Sequence, residues 1–389
     1  MDYIQYIHEE RILAEFLQLV SLDSESYHER AMADYLIAKL TALGLEVTED
    51  TAGEQLAPLS QVPDDMHTGN LYACLQGNLA DADRNASEAI LFSAHMDTVS
   101  PGNGKRALVH KDGTITSAGD TVLGADDAAG IAAILELLTC LTEYKLPHPD
   151  IEVVFPVAEE PYAQGSRVFD YSRLHSKKAY VLDLSGAIGT AALAAPAIVS
   201  VQITVHGKSA HAGFCPEQGI SAITAAARAI TALPQGHVEP DTTINFGTIC
   251  GGLQRNIVPD EVIITGEIRS MDNQKIKKWE DIIRHSFEEN ARTLGADVFI
   301  AFEQQFTAYR IAEDEEVVVS YQQACQALQL PYTMIDTFGG SDNNHFTAHG
   351  IRGIVIANAM NDVHTKKEWS TKVDLVKSAA LILKIATGL

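Results

Sequence analysis

The chain has 389 residues, of which 46% are hydrophobic and 21% charged, and its formal net charge is −24. That length is enough for two domains, and the apolar fraction is that of an ordinary globular protein. So acidic a surface excludes nucleic acid and anionic membranes as partners, and no apolar run reaches the roughly 18 residues of a membrane span. The start of the chain, Met1-Asp2-Tyr3-Ile4-Gln5, has neither a basic nor an apolar leader region, so a secretory leader is not expected. Cys74, Cys140, Cys215, Cys250 and Cys325 are scattered without a C-x-x-C pair, as expected of reduced thiols in a cytoplasmic protein.

In chain order, apolar positions Ile4, Ile7, Ile12, Phe16 and Leu19 predict an amphipathic helix from Ile4 to Val20. A second helix is predicted over 29–43, ending at Gly44. Residues 52–69 read as a polar loop, and strands follow near 70–76 and 89–94. Lys111-Asp112-Gly113-Thr114 is a turn between two short extended pieces. A helix is expected from Gly124 to Leu141, and buried strands at Ile151–Phe155 and Ala179–Leu182. Strands alternating with helices predict an α/β sheet covered on both faces.

The pattern changes near Pro196. Ile198 to His206 alternates apolar and polar residues, as a half-exposed strand does. A helix over 217–232, strands at 243–249 and 261–268, a helix over 273–294 and a strand at 297–303 complete a split ferredoxin-like order. The chain is therefore expected to carry a small α+β domain at 197–310, inserted into an α/β domain made of 1–196 and 311–389.

The chemistry-bearing residues fall at element ends. Ser93-Ala94-His95-Met96-Asp97-Thr98 closes the apolar run Ile90-Leu91-Phe92. It is followed by Asp126-Asp127 after Gly124, Glu159-Glu160 after a strand, Asp183 after Val181-Leu182, and His364 in a loop. Each alone has an ordinary reading. His-x-Asp is a common strand end, Asp126-Asp127 can cap a helix, Asp183 suits a turn, and acidic pairs such as Glu288-Glu289 recur by chance. Together they supply two histidines and several carboxylates at one expected sheet edge, where α/β proteins bind ligands. That is the donor set of a two-zinc hydrolytic site. Two Zn²⁺ would bring four positive charges, balanced by Asp126, Glu160, Asp183 and one hydroxide. Glu159 is then left over as a base, and Asp97 can hold the second ring nitrogen of His95.

In this order the segments resemble the zinc exopeptidase family of peptidase T, bacterial glutamate carboxypeptidase and aminoacylase, and above all its peptidase T-like branch. The similarity lies in Ser93–Val99, Leu123–Gly130, Ala158–Glu160, Tyr180–Asp183, His206–Gly213, Arg255–Asp260, Phe338–Asp342 and His364-Thr365. It implies a mixed-sheet catalytic domain with an inserted ferredoxin-like lid and dimerisation domain. It also implies two Zn²⁺ per subunit, with Co²⁺ or Mn²⁺ as substitutes. By resemblance, Asp126 bridges the metals, His95 and Asp183 complete one site, and Glu160 and His364 complete the other. Glu159 is the general base and Asp97 supports His95, while His211, Asn256 and Arg269 bind substrate. The expected activity is removal of the N-terminal residue from short peptides by a homodimer formed through the inserted domain. An N-acyl amino acid amidohydrolase or carboxypeptidase of the same family remains open, as does a non-catalytic binding protein. The chain departs from many relatives at Ala128, Pro161–Gly165 and Leu184-Ser185-Gly186, and the last two line the expected cleft, which leaves substrate preference open.

Overall fold

The computed structural model describes residues 3–57, 67–79 and 88–388. It divides into two compact units, Met1–Ala194 with Arg310–Thr337 and Ser341–Leu389, and Ala195–Tyr309 with Phe338–Gly340.

The first unit is built on a mixed sheet. Its centre is four parallel neighbours in the order Ile151–Phe155, Ile90–Ser93, Lys178–Leu184 and Arg352–Ala357. Both Ile90–Ser93 and Ile151–Phe155 are buried along their whole length, as strands covered on two faces must be. Leu71–Leu75 and then Val47–Glu49 extend the sheet antiparallel on one side, and Thr190–Ala195 runs antiparallel to Arg352–Ala357 on the other. From Ile90–Ser93 the chain next enters the sheet on one side, at Ile151–Phe155, and then on the other, at Lys178–Leu184. This reversal opens a crevice at the carboxyl ends of the strands. Phe92 and Tyr180, both fully buried, stack with ring centroids 5.7 Å apart beneath it. Truncating a core aromatic costs about 3–5 kcal/mol, so this pair helps fix the adjacent strands Ile90–Ser93 and Lys178–Leu184.

The helices Ala125–Tyr144 and Lys372–Thr387 are buried along most of their length and lie against one another. A small second sheet joins Trp369–Thr371, Thr114–Ser117 and Ala107–Val109. Two expectations are corrected here. The N-terminal helix starts at Glu9, not Ile4, after a 3-10 turn at Tyr3–Tyr6. The buried Glu136 carboxylate accepts the His8 N–H at 2.9 Å and the Arg11 guanidinium at 2.7 and 2.8 Å, and so fixes the first turn. The polar stretch 52–69 opens with a helix, Ala52–Leu56, with Asp50 Oδ1 accepting the Ala52 N–H at 2.9 Å; residues 58–66 lie outside those described.

The second unit is a five-stranded antiparallel sheet in the order Gly236–Glu239, Thr242–Gly251, Glu261–Ser270, Ala197–His206 and Asp297–Phe306. Alternate residues Val199, Val201, Ile203 and Val205 turn to one face, where they meet Ala225, Ala226 and Ala229 of the helix Ala222–Thr231. Trp279, Ile283 and Phe287 of Asn273–Leu294 complete that core. This is the ferredoxin-like pattern with one edge strand more than the sequence predicts. Gly236–Glu239 is short and largely exposed, so it carries no apolar alternation to announce it. The first helix starts at Ala222, later than expected, because Ser221 caps it by accepting the Thr224 N–H at 3.2 Å. Phe338–Gly340 also belongs to this unit. The Arg269 guanidinium donates to the Phe338 carbonyl at 2.8 Å, and the Phe338 ring meets His237 edge-on. A Cβ on Gly340 would fall 2.5 Å from the Phe306 ring, so the glycine there makes room for a side chain.

Candidate metal centre

Every ligand candidate follows the carboxyl end of a central strand or opens the helix beside it. His95 comes two residues after Ile90–Ser93, Glu159 and Glu160 follow Ile151–Phe155, Asp183 ends Lys178–Leu184, and His364 follows Arg352–Ala357. Asp126 stands at the start of Ala125–Tyr144, where the backbone of Asp126 and Asp127 departs from helical angles.

Asp126 turns one oxygen to each histidine. Its Oδ1 lies 3.0 Å from His95 Nε2 and its Oδ2 lies 3.1 Å from His364 Nε2. Glu160 Oε2 is 2.9 Å from the same His364 nitrogen, and Asp183 Oδ1 is 4.0 Å from His95 Nε2. Ligand atoms of His95, Asp126 and Glu160 lie within 4.8 Å of one another, and so do those of His95, Glu159 and Asp183. Either trio can hold a metal ion. Asp97 lies 3.3 Å from His95 Nδ1, whose own contact with the Asp97 carbonyl is 3.0 Å. The Asp97 carboxylate also accepts the N–H groups of Glu159 at 2.9 Å and Glu160 at 3.1 Å. It therefore orients the histidine and the two glutamates together.

The electrostatics match the demand for a cation. Burial pushes Glu159 well above the usual carboxylate range, and neighbouring Asp183 adds to it. Burial and then Asp126 raise Asp183 as well. Burial opposes the charge on Asp126, yet His364 and His95 hold its carboxyl low. Hydrogen bonds that His364 donates to Asp126 and Glu160 bring it up to about 10. The carboxylates outnumber the histidines, and Glu160 Oε1 is buried with no hydrogen-bond partner. Buried oxygens left bare in this way are the observation expected of a site shaped around cations.

His211, Asn256 and Arg269 belong to the second unit. The Ala212 N–H donates to the Asn256 carbonyl at 3.0 Å, which brings the loops of His211 and Asn256 side by side. His211 Nδ1 accepts the N–H groups of Gly213 at 3.1 Å and Phe214 at 3.2 Å. Arg269 stands on Glu261–Ser270, forked against Glu267 at 2.8 and 3.0 Å.

The structure of aminopeptidase PepT from Bacillus cereus aligns with a TM-score of 0.86 at 35% identity, covering 98% of this chain and 99% of that one. The chain belongs to the M20/peptidase T-like family of peptidases. A tripeptidase from Staphylococcus aureus is 34% identical with a TM-score of 0.90, covering 98% of both chains. The Bacillus subtilis protein YqjE, itself uncharacterized, is 36% identical over 379 residues, 97% of this chain and 98% of its own. The M20 peptidase dimerisation domain matches residues 194–294, and the model for peptidase family M28 matches residues 70–212.

In this peptidase-family chain the sequence reading missed the side chains that hold the site from behind. Ser26 Oγ donates to Asp97 Oδ2 at 2.7 Å. Glu29, fully buried, accepts the N–H of Tyr27 at 2.8 Å and that of Ala158 at 3.0 Å, immediately before the paired glutamates. Burial, and then Asp97, push Glu29 up to about 8. Asp127 does not face the histidine rings. Its carboxylate accepts the His95 N–H at 3.2 Å and the Gly130 N–H at 3.1 Å, and Asn358 donates to it at 2.8 Å. The adjacent aspartates thus divide between ligand geometry and backbone support. A cavity of about 630 Å³ lies elsewhere in this unit, beside Ile90 and Lys178 at the amino ends of the strands, and holds none of these residues. Chemistry rather than volume marks the site.

Proposed function

We propose that the chain is a two-metal aminopeptidase that removes the N-terminal residue from short peptides. The observation that carries this reading is the placement of Asp126, with one oxygen toward His95 and the other toward His364. His95 and Asp183 would hold one ion, Glu160 and His364 the other, with Asp126 shared between them. The donors are borderline and hard, which suits zinc and also cobalt or manganese. When bound, such ions lower the pKa of coordinated water toward ~7 and polarise the scissile carbonyl. Glu159 accepts a proton from the attacking water at a carboxylate oxygen and returns it to the leaving nitrogen. Asp97 keeps the imidazole of His95 and the backbone of Glu159 in register while this happens. His211, Asn256 and Arg269 are assigned to substrate binding on their motifs, as hydrogen-bond donors for peptide carbonyl and carboxylate groups. Aminopeptidase action is supported by the PepT and tripeptidase relatives, which match almost the full chain. A homodimer through the second unit fits the exposed apolar residues there, Phe214 at 86%, Leu253 at 80% and Phe299 at 65%. A cytoplasmic setting fits the five free cysteines.

The deciding experiment compares free-amine tripeptides, dipeptides and N-acyl amino acids with metal-loaded and chelated protein. Release of the N-terminal residue from free-amine peptides, abolished by chelation, is the expected result. Turnover of N-acyl amino acids alone would move the chain to amidase chemistry. Metal binding without turnover of any of them would favour a binding protein.

A further inference from the structure

Glu368 is a carboxylate with no place in the ligand set, yet it is 1% exposed. Both of its oxygens are used. Oε2 accepts the N–H of Gly124 at 2.7 Å and Oε1 accepts the N–H of Asp126 at 2.9 Å, across more than 240 residues of sequence. These N–H groups need such a partner. Gly124 has φ +77°, and Asp126 has φ −83° with ψ 99°, so neither sits in a helical ladder. A Cβ on Gly124 would fall 2.9 Å from Lys105 Cε, so the Lys105 stem also packs against this loop.

The same residue closes the loop that presents His364. Asn361 and Trp369 exchange backbone hydrogen bonds at 3.1 Å, and the Glu368 N–H donates to the Thr365 carbonyl at 3.1 Å. Trp369 Nε1 donates to Asp362 Oδ2 at 3.1 Å. Asp362 and His364 both adopt positive φ, 51° and 60°, so the loop has a defined shape with His364 at its tip. Trp369–Thr371 then pairs with Thr114–Ser117, which anchors the base of the loop.

We propose that Glu368 is a positioning residue that locks the loop carrying Asp126 to the loop carrying His364, and thereby sets the spacing of the two sides of the cation site. This rests on the two-metal reading above and gives it a determinant outside the ligands. A carboxylate suits the task because it offers equivalent acceptors to two diverging N–H groups. Glutamine would present an NH₂ group to one of them. The consequence belongs to divalent-cation affinity, since groups that orient ligands typically change it by about 10–100-fold.

The test measures zinc affinity by competition with a chromophoric chelator, and zinc retained after gel filtration, for full-length wild type, E368Q and E368D. The thermal midpoint of each chelated protein is recorded alongside. E368Q is expected to bind zinc roughly 10–100-fold more weakly, with its metal-free midpoint close to that of wild type. E368D keeps the charge but is one methylene shorter, and is expected to fall between the two. If E368Q does not fold, E368D alone decides by the same comparison. Zinc affinity within twofold of wild type in a folded variant overturns the proposal. So does a loss of affinity matched by an equal loss of metal-free stability in both variants, which is a purely structural role. Wild type that binds no divalent metal overturns the two-metal reading itself, and the wild-type titration shows this separately.

Discussion

The two units carry their polar functional candidates in opposite ways. In the first, His95 and Asp97 are 1% exposed, Asp126 5% and Glu159 8%, and their charges converge, with only His364 of the set opening to solvent. In the second, His211 and Asn256 are exposed and Arg269 is half-buried, each engaged mainly with its own neighbours. Burying charge costs several kcal/mol unless it is paired or bound to a cation. The first unit therefore displays its chemistry as a cluster of carboxylates and imidazoles whose atoms lie close enough to share a cation. The second holds groups already satisfied by their own neighbours and open to solvent, and their function depends on what binds.

The comparison breaks if the buried cluster proves to be inert. Glu159 offers the largest effect. Glu159→Gln keeps the shape and removes the base, so kcat should fall by about 10²–10⁴-fold, with bound metal unchanged. Stopped assays with metal analysis on the same samples check this. Activity within tenfold of wild type would remove Glu159 from the proton-transfer step.

The candidates of the second unit should behave differently. Arg269 already shares its guanidinium with Glu267 and the Phe338 carbonyl. Arg269→Ala is expected to raise KM on peptides by roughly tenfold, the value of one charge-assisted hydrogen bond, and to change kcat less. Because Arg269 also ties Phe338 to its strand, stability is measured alongside. A fall in kcat with KM unchanged would place Arg269 with the reacting groups rather than with substrate binding.

The difference between the units also explains what the sequence made legible. The parallel core was readable because Ile90–Ser93, Ile151–Phe155 and Lys178–Leu184 are short, mostly apolar runs, and a His, Glu or Asp lies at or within a few residues of the carboxyl end of each. The ferredoxin-like unit was readable from alternation in Ala197–His206 and helical spacing in Asn273–Leu294. Gly236–Glu239 was not, since an exposed edge strand needs no pattern. The supporting acids Glu29 and Glu368 were hidden for another reason. Among 52 acidic residues, nothing local separates a buried one from a solvated one. Glu368 follows His364 by four residues, and only the fold shows its carboxylate gripping Gly124 and Asp126. The break before Glu9 is likewise tertiary, imposed by Glu136 from a distant helix.

The smallest effect concerns a half-buried imidazole outside the ligand set. His345, in the helix Asp342–Ala348, is held down at about 4 by burial, with Arg167 and His349 adding positive charge nearby. An unfolded histidine titrates near 6.5. The folded state thus binds this proton more weakly than the unfolded state. Its contribution is complete above about 6.5 and is lost as pH falls toward 4, because the unfolded chain gains the proton first. His345→Gln removes the titration and leaves activity at neutral pH to the metal residues. Denaturant midpoints of chelated protein at pH 7 and pH 4.5 isolate the effect from metal release. The variant should lose less stability over that interval than wild type. The difference is bounded by the ~1.4 kcal/mol per pH unit of a single proton. Equal pH dependence in the two proteins would mean that His345 is not kept neutral by its surroundings. The contrast between the units would then rest on the ligand cluster alone.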